Sequence, residues 1–471
     1  MVRRDRVRVD EAVAEFRGSR LGDARNEARL EVIAGQAAFD PAASLPRQAG
    51  SDAALEATYR FLGNRDVSFA SVTAPHVRAT VARCAEQGRV VVAHDTTEFN
   101  FGDREELGRL SGNGRGFLGH FAVAVTLGEQ RLPLGVLHVE TISRPVDEPK
   151  KQRIKHRAQA DESIESLRWN RGARAVHQLL EGKVRAIHVM DREADNYLLL
   201  AEMLGRGQDF VVRASYDRVV ESAGGRSLLK QVLESAPVVA ERVVPLSERR
   251  PHPSTRHRQR HPPREAHAAS LRVSATRVRM VRPQGAQACP QETLELNVVR
   301  VLELNAPAGA EPVEWLLWTT LPATTADEIF TIVDAYRGRW VIEEYFKALK
   351  TGCAYEKRQL ESLHALLNAL AVFVPLAWLL LQLRTVSRLS PESPGLPLLN
   401  DAQRRCLEAG LRRLKRPPLP DRPTARNIAY AVAGLAGHIK NNGDPGWQTL
   451  GNGLDRLLLI ELGYLAAKDE M

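Results

Sequence analysis

The spacing of apolar positions changes twice along the chain. From Ala24 to Ala37 and from Ala53 to Leu62 it is helical, with Arg25 and Arg29 one turn apart and Ser51-Asp52 offering a cap to the second run, which contains Tyr59-Arg60-Phe61. After Gly88 short continuous apolar runs take over. Arg89–His94 reads as a buried strand with Asp95 at its carboxyl end, and Phe121–Leu127 with Leu132–Val139, joined across Gly128-Glu129-Gln130, predict a hairpin. A charged helix-prone stretch, Lys151–Leu180, precedes Val184–Met190, a strand ending on Asp191, then a helical run, Ala194–Leu204, and the short strand Phe210–Arg213. Strands alternating with helices predict an α/β core, in which functional groups gather at the carboxyl ends of strands.

Between Tyr216 and Ala308 the rhythm breaks. Alternating Val-rich runs, Ala236–Leu246, Ser270–Val281 and Thr293–Leu304, predict an antiparallel β insertion, split by the Arg-, His- and Pro-rich segment Arg249–His267. Its histidines, His252, His257, His261 and His267, lack ligand spacing with cysteines or acids and read as a basic loop suited to phosphates. From Trp315 onward the chain reads as mainly helical, with linkers at Pro391–Pro397 and Pro417–Pro423 and a Leu-rich tail, Thr449–Asp469, suited to a partner. Ala365–Gln382 carries no charge and is nearly long enough to span a bilayer. Interrupted by Asn368 and Pro375, it reads as a buried core helix, kinked or broken at the proline.

Composition narrows the class. The chain has 471 residues, 44% hydrophobic and 26% charged, enough for several ordinary domains and too apolar for a disordered chain. A formal charge of +9 favours a polyanionic partner. Cys84, Cys289, Cys353 and Cys406 stand far apart, so neither a zinc site nor a disulfide framework is expected. The charged start, Met1 to Val13, has no apolar leader segment, which with the core helix predicts a cytoplasmic protein and no membrane partner.

The candidate chemistry lies beyond Asp334. At about 100° per residue, Tyr336, Arg339, Glu343, Lys347 and Lys350 fall within an arc of about 80°, while Val341, Ile342, Tyr345, Phe346, Ala348 and Leu349 form the opposite, apolar side. One acid among four phosphate-seeking groups is either an ordinary solvated face with i,i+4 pairs or part of a site. Asp95 and Asp191 at strand ends, with Glu343 on a helix, would suit two divalent cations at a phosphodiester. Taken singly, Asp191 is also a helix cap, and Asp95 with Thr96-Thr97 a local turn.

Tyr336-x2-Arg339-x3-Glu343-x6-Lys350 resembles the YREK signature of DDE transposases of the bacterial insertion-sequence IS-four family. His94-Asp95-Thr96-Thr97 and Asp191-Arg192-Glu193-Ala194-Asp195 resemble its first and second acid motifs. Leu21-Gly22-Asp23, Ala28-Arg29-Leu30, Tyr59-Arg60-Phe61 and Leu465–Asp469 resemble further segments, so the likeness runs nearly end to end.

The resemblance implies a ribonuclease-H-like catalytic core over 81–365, with the β insertion at about 216–308. It also implies an N-terminal helical domain, 1–80, on transposon-end DNA and a C-terminal helical dimerisation domain, 366–471. Asp95, Asp191 and Glu343 would hold two Mg²⁺, or Mn²⁺ in their place. Tyr336, Arg339 and Lys350 would grip the end phosphate, with Lys347 and Arg213 beside them. Trp315 would stack on a flipped base or simply pack in the core, and Arg29 and Arg60 would face the ends, unless they only solvate a helical bundle. The implied activity is cut-and-paste transposition by a nucleoid-associated homodimer acting on end and target DNA. A transposase-derived DNA-binding protein that no longer cuts, and another two-metal DNA nuclease, are the rival readings.

Overall fold

The computed structural model describes residues 12–39, 41–145, 164–246, 248, 262–287, 289–307, 310–389 and 401–439, with shorter pieces between 391 and 399 and between 444 and 464. After a short helical stretch at 12–14 come α1 (Ala24–Phe39), α2 (Leu45–Ala49), α3 (Asp52–Gly63) and α4 (Phe69–Gln87). The Ser51 side chain accepts from the Ala54 N–H, and Ser68 with Ser71 forms a capping box on α4, so the free amides at both helix starts find partners. Phe16, Leu30, Ile33, Phe61, Leu62 and Val72 are buried in one core with the strands that follow. The boundary expected at residue 80 falls inside α4. That helix is tied to its neighbours on both sides: His76 accepts the Val136 N–H at 3.0 Å, and Arg83 pairs with Glu15 at 2.7 Å.

Among the described residues the strands form one twelve-stranded mixed sheet. β1 (Arg89–Asn100), β3 (Arg115–Thr126) and β4 (Pro133–Ile142) make an antiparallel meander, with the short β2 (Gly108–Arg109) beside β3. The expected hairpin is there, with Phe121 opposite Val139. On the other side of β1 lie β5 (Arg185–Met190) and β6 (Asp209–Arg213), both parallel. Helices α5 (Arg168–Leu180) and α6 (Tyr197–Gly205) precede and follow β5. This mixed α/β arrangement is compatible with a ribonuclease-H-like DDE domain.

The β insertion extends the same sheet. β7 (Val219–Ser222), β8 (Gly225–Leu228), β9 (Val238–Leu246), β10 (His267–Val281) and β11 (Thr293–Glu303) pair antiparallel, with the short α7 (Leu229–Glu234) between β8 and β9. β12 (Glu314–Thr319) joins β11 to β6. Of the basic segment, 249–261 lies outside the described residues, with His252, His257 and His261; His267 opens β10 and shares a 2.6 Å hydrogen bond with Glu303.

After β12 come α8 (Ala326–Gly338), α9 (Trp340–Lys347) and a π turn, Ala348–Gly352. α10 (Leu363–Leu389) is the one described helix long and apolar enough to cross a membrane, and most of it is buried within the molecule. It runs on through Pro375 unbroken, contrary to one expectation. Its polar side chains reach its neighbours: the Asn368 amide nitrogen donates to Leu62 O and Val67 O, and Trp378 donates to Pro133 O. The boundary expected at 365 therefore falls within a core helix. Beyond it, α11 (Asp401–Arg413) and α12 (Ala425–Leu435) bury a small cluster of their own around Leu407, Leu411 and Ile428. The segment Leu465–Asp469 lies outside the described residues, as does most of the expected linker Pro391–Pro397. All four cysteines are buried and none is in a disulfide.

Candidate active site

Three segments far apart in sequence deliver one carboxylate each. The β1–β5 ladder ends at the pair Ala93–Val189. Asp95 stands just past that end, in mid-strand, because β1 continues to Asn100 on its other partner, β3, whose Phe121 lies opposite Asp95. Asp191 follows β5 and opens the 3₁₀ turn Arg192–Ala194. Glu343 comes from the first turn of α9.

Between them lies Arg339, only 4% exposed. Its Nη1 donates to Asp95 Oδ2 at 3.0 Å and its Nη2 to Glu343 Oε1 at 2.8 Å, while Asp191 Oδ2 is 3.8 Å from Nη2. Arg339 sits at a tight junction between α8 and α9, where its N–H donates to Tyr336 O and its carbonyl accepts from the Ile342 N–H. Tyr336, one turn back and buried, donates its hydroxyl to Asp191 Oδ1 at 3.3 Å.

Charge and burial oppose each other here. Burial pushes the Asp95 carboxyl up to about 6, against Arg339 and the Thr96 N–H, which both favour the carboxylate. Burial also works against the charge on Arg339, yet Asp191, Tyr336, Glu343 and Asp95 together raise its proton affinity. The Tyr336 phenol is pushed up to about 12, by burial first and by Asp191 second, and stays protonated as a donor. The site is an acid cluster balanced by one internal cation.

The remaining anticipated residues divide by distance. Trp315 meets Tyr336 edge to face, with ring centroids 5.2 Å apart, and is half-buried at that edge. Arg213, at the end of β6, donates to Glu314 O beside the same pair. Lys350 turns inward, donating to Glu98 O and lying 3.6 Å from Glu356. Lys347 is 57% exposed and pairs with Glu344 instead of the acids. The stripe drawn on a uniform helix thus splits, since the junction at Arg339 and the π turn both break its period. Arg29 and Arg60 lie on α1 and α3; Arg60 is solvent-facing and 3.7 Å from Glu56.

Sequence reasoning missed three features. Trp340 is 51% exposed, with the Arg339 guanidinium 5.1 Å from its ring centroid. His94 and His188 share a 2.9 Å hydrogen bond beneath the acids, His120 stacks beside His94, and all three are buried. Arg168 links the chain segments that follow two of the acids. The one signal in the sequence was a histidine ahead of each aspartate, His94 directly before Asp95 and His188 three positions before Asp191.

Residues 170–374 match the family described as transposase DDE domain, and residues 11–67 match the family described as transposase DNA-binding. The first match takes in Asp191 and Glu343, while Asp95 precedes it. The fold and the two matches define the class: a DNA-binding segment followed by an enzymatic DDE domain. Together they support a DNA transposase of the DDE type.

DDE domains generally use divalent metals. Among the described residues no three His, Cys, Asp or Glu side chains lie close enough to ligate an ion. The carboxylates nonetheless fit one by chemistry: three hard oxygen donors converge on a single position that already holds cationic charge, the Arg339 guanidinium.

Proposed function

We propose that this chain is a cut-and-paste DNA transposase in which Asp95, Asp191 and Glu343 hold two Mg²⁺, with Mn²⁺ able to substitute. The observation that carries the reading is the convergence of these three carboxylates, from β1, the end of β5 and α9, on one guanidinium. Bound there, the ions would activate the attacking water or hydroxyl and stabilise the leaving oxygen. The residues around them do the rest. Arg339 and Tyr336 offer donors to a phosphate beside the acids, while Lys350, Lys347 and Arg213 would meet DNA away from that point. Trp315 supplies an aromatic face for an unstacked base. In the first step water displaces one strand at a phosphorus, breaking a P–O bond and freeing a 3′-hydroxyl. That hydroxyl attacks the opposite strand to give a hairpin end, and after its opening attacks target DNA.

The N-terminal helices carrying Arg29 and Arg60 would read the transposon end. The C-terminal helices would pair two copies in a synaptic homodimer. The domains run, in this reading, over 1–80, 81–365 and 366–471, with helices α4 and α10 bridging the joins. The IS-four likeness of the Tyr336–Lys350 signature supports the same assignment.

The test uses DNA flanking the gene, incubated with Mg²⁺ and resolved on a denaturing gel for wild type and Asp191→Ala. Breaks at defined positions with hairpin-terminated products, absent in the variant, are expected. Retention of DNA without any cut in Mg²⁺ or Mn²⁺ would favour a DNA-binding descendant. Cutting with no defined ends and no hairpins would favour another two-metal nuclease.

A further inference from the structure

Past the last ladder pair, Ala93–Val189, the sheet no longer sets the separation of the segments that bear Asp95 and Asp191. One side chain does so from the side. Arg168, in the first turn of α5, is 8% exposed and spreads its guanidinium over three segments. Nε donates to Thr96 Oγ1 at 2.9 Å, Nη2 to Glu193 Oε2 at 2.6 Å and Nη1 to Glu165 O at 3.0 Å. Thr96 in turn donates its own N–H to Asp95 Oδ1 at 2.8 Å, so whatever holds Thr96 holds that carboxylate. Glu193 lies within the short turn that Asp191 opens, closed by the Ala194 N–H on Asp191 O at 2.9 Å.

The helix is seated for this. One turn on from Arg168, Gly172 has no side chain, and a Cβ there would meet His120 Nε2 at 2.9 Å and His94 Nδ1 at 3.4 Å. α5 therefore lies directly on the histidine layer under the acids, and His94 is hydrogen-bonded to His188 of β5. The two acid-bearing segments are thus joined twice, by the imidazole pair and by Arg168.

We propose that Arg168 is a positioning residue of the acid site, fixing the distance between Asp95 and Asp191 by gripping the residues beside them. A planar fork with donors in three directions is required, and a lysine ammonium cannot supply that geometry. The proposal rests on the reading that these acids hold divalent cations, and its test separates the two.

The full-length chain is titrated with Mn²⁺, following free Mn²⁺ by electron paramagnetic resonance, and melting temperature is recorded alongside. Wild type is compared with Asp191→Ala, Arg168→Lys and Glu193→Ala. Glu193 has a side chain 70% exposed, so its removal leaves the fold intact even if the arginine variant does not fold. Asp191→Ala is expected to lose Mn²⁺ binding. Arg168→Lys and Glu193→Ala are expected to weaken it by about tenfold or more, the range for residues that orient ligands, at a near-native melting temperature. Unchanged Mn²⁺ affinity in both, against a wild type that loses the ion in Asp191→Ala, overturns the positioning role and leaves the metal reading standing. Weakening that only tracks a fall in melting temperature in both variants overturns it as well. If wild type and Asp191→Ala titrate alike, the metal reading fails and the proposal with it. Weakened binding in a chain that nonetheless cuts no DNA upholds Arg168 while removing the transposase.

Discussion

Arg339 and Asp95, 244 positions apart in the chain, meet in a 3.0 Å ion pair at the point where β1 outruns β5. The pair shows how the acid site is held in the protein alone: a buried guanidinium supplies the charge that keeps neighbouring carboxylates together.

Replacing Arg339 by Gln should therefore destabilise the metal-free protein. The side chains of Asp95, Asp191 and Glu343 are 24%, 35% and 33% exposed, so water screens part of their repulsion. A loss of about 2–3 kcal/mol is expected, below the value for fully buried pairs. Thermal unfolding in EDTA would show it, and Mg²⁺ should restore much of the difference. A variant as stable as wild type in EDTA would mean that the acids do not need this cation.

Tyr336→Phe removes one hydroxyl and keeps the ring that packs on Trp315. Folding stability should fall by no more than about 1–2 kcal/mol. Cleavage of end DNA should fall much further, by tenfold or more if the hydroxyl orients Asp191 as an outer partner of the site. Stability and cleavage falling together would reduce Tyr336 to a packing role.

In Gly172→Ala two effects of opposite sign compete. Helix propensity alone would favour alanine by about 1 kcal/mol. The added Cβ, 2.9 Å from His120 Nε2 in a buried layer, should outweigh it, with a net loss of about 1–3 kcal/mol in urea unfolding. A stabilised variant would show that α5 can lift from the histidines without cost.

The histidine layer should also make the fold acid-sensitive. Burial holds His188 down to about 3 and His120 well below its usual 6.5. The unfolded chain takes up a proton on each below about 6.5, while the folded chain does not, so stability falls as pH drops from there toward 3. The slope is up to about 1.4 kcal/mol per pH unit for each imidazole. Urea midpoints at pH 7 and pH 5 check it; equal midpoints would mean the rings are hydrated or already protonated.

Lys347, exposed and paired with Glu344 across one turn, is the simplest probe of phosphate contact. Lys347→Ala should change stability by less than about 0.5 kcal/mol. The salt dependence of DNA binding should lose about one unit of slope. An unchanged slope would take Lys347 off the DNA surface.

Much of the fold was legible from periodicity. The apolar runs at Arg89–His94, Phe121–Leu127 and Val184–Met190 became β1, β3 and β5, because strands covered on both faces need continuous apolar side chains. Ser51 and Asp52 marked the start of α3 by capping chemistry alone. The reading placed Asp95 at a strand end, whereas it lies in mid-strand, since no run of residues announces that one neighbour stops while the other continues. The helical wheel gathered Tyr336, Arg339, Glu343, Lys347 and Lys350, but a wheel assumes one unbroken period. The break at Arg339 and the π turn send both lysines elsewhere.

What the sequence determined by itself was the kind of residue and its local setting: carboxylates after apolar strands, a YREK spacing, a basic charge, a polar-interrupted core helix. These depend on side-chain chemistry and on neighbours a few positions away. Only the tertiary structure decided that Arg339 would face all three acids and that Arg168 would bind the residues beside two of them. It alone merged α10 and the N-terminal helices into one core. Those outcomes rest on pairings between segments that lie from 25 to 306 residues apart. They are selected by whether buried charge and buried polar groups find partners, which no local pattern encodes.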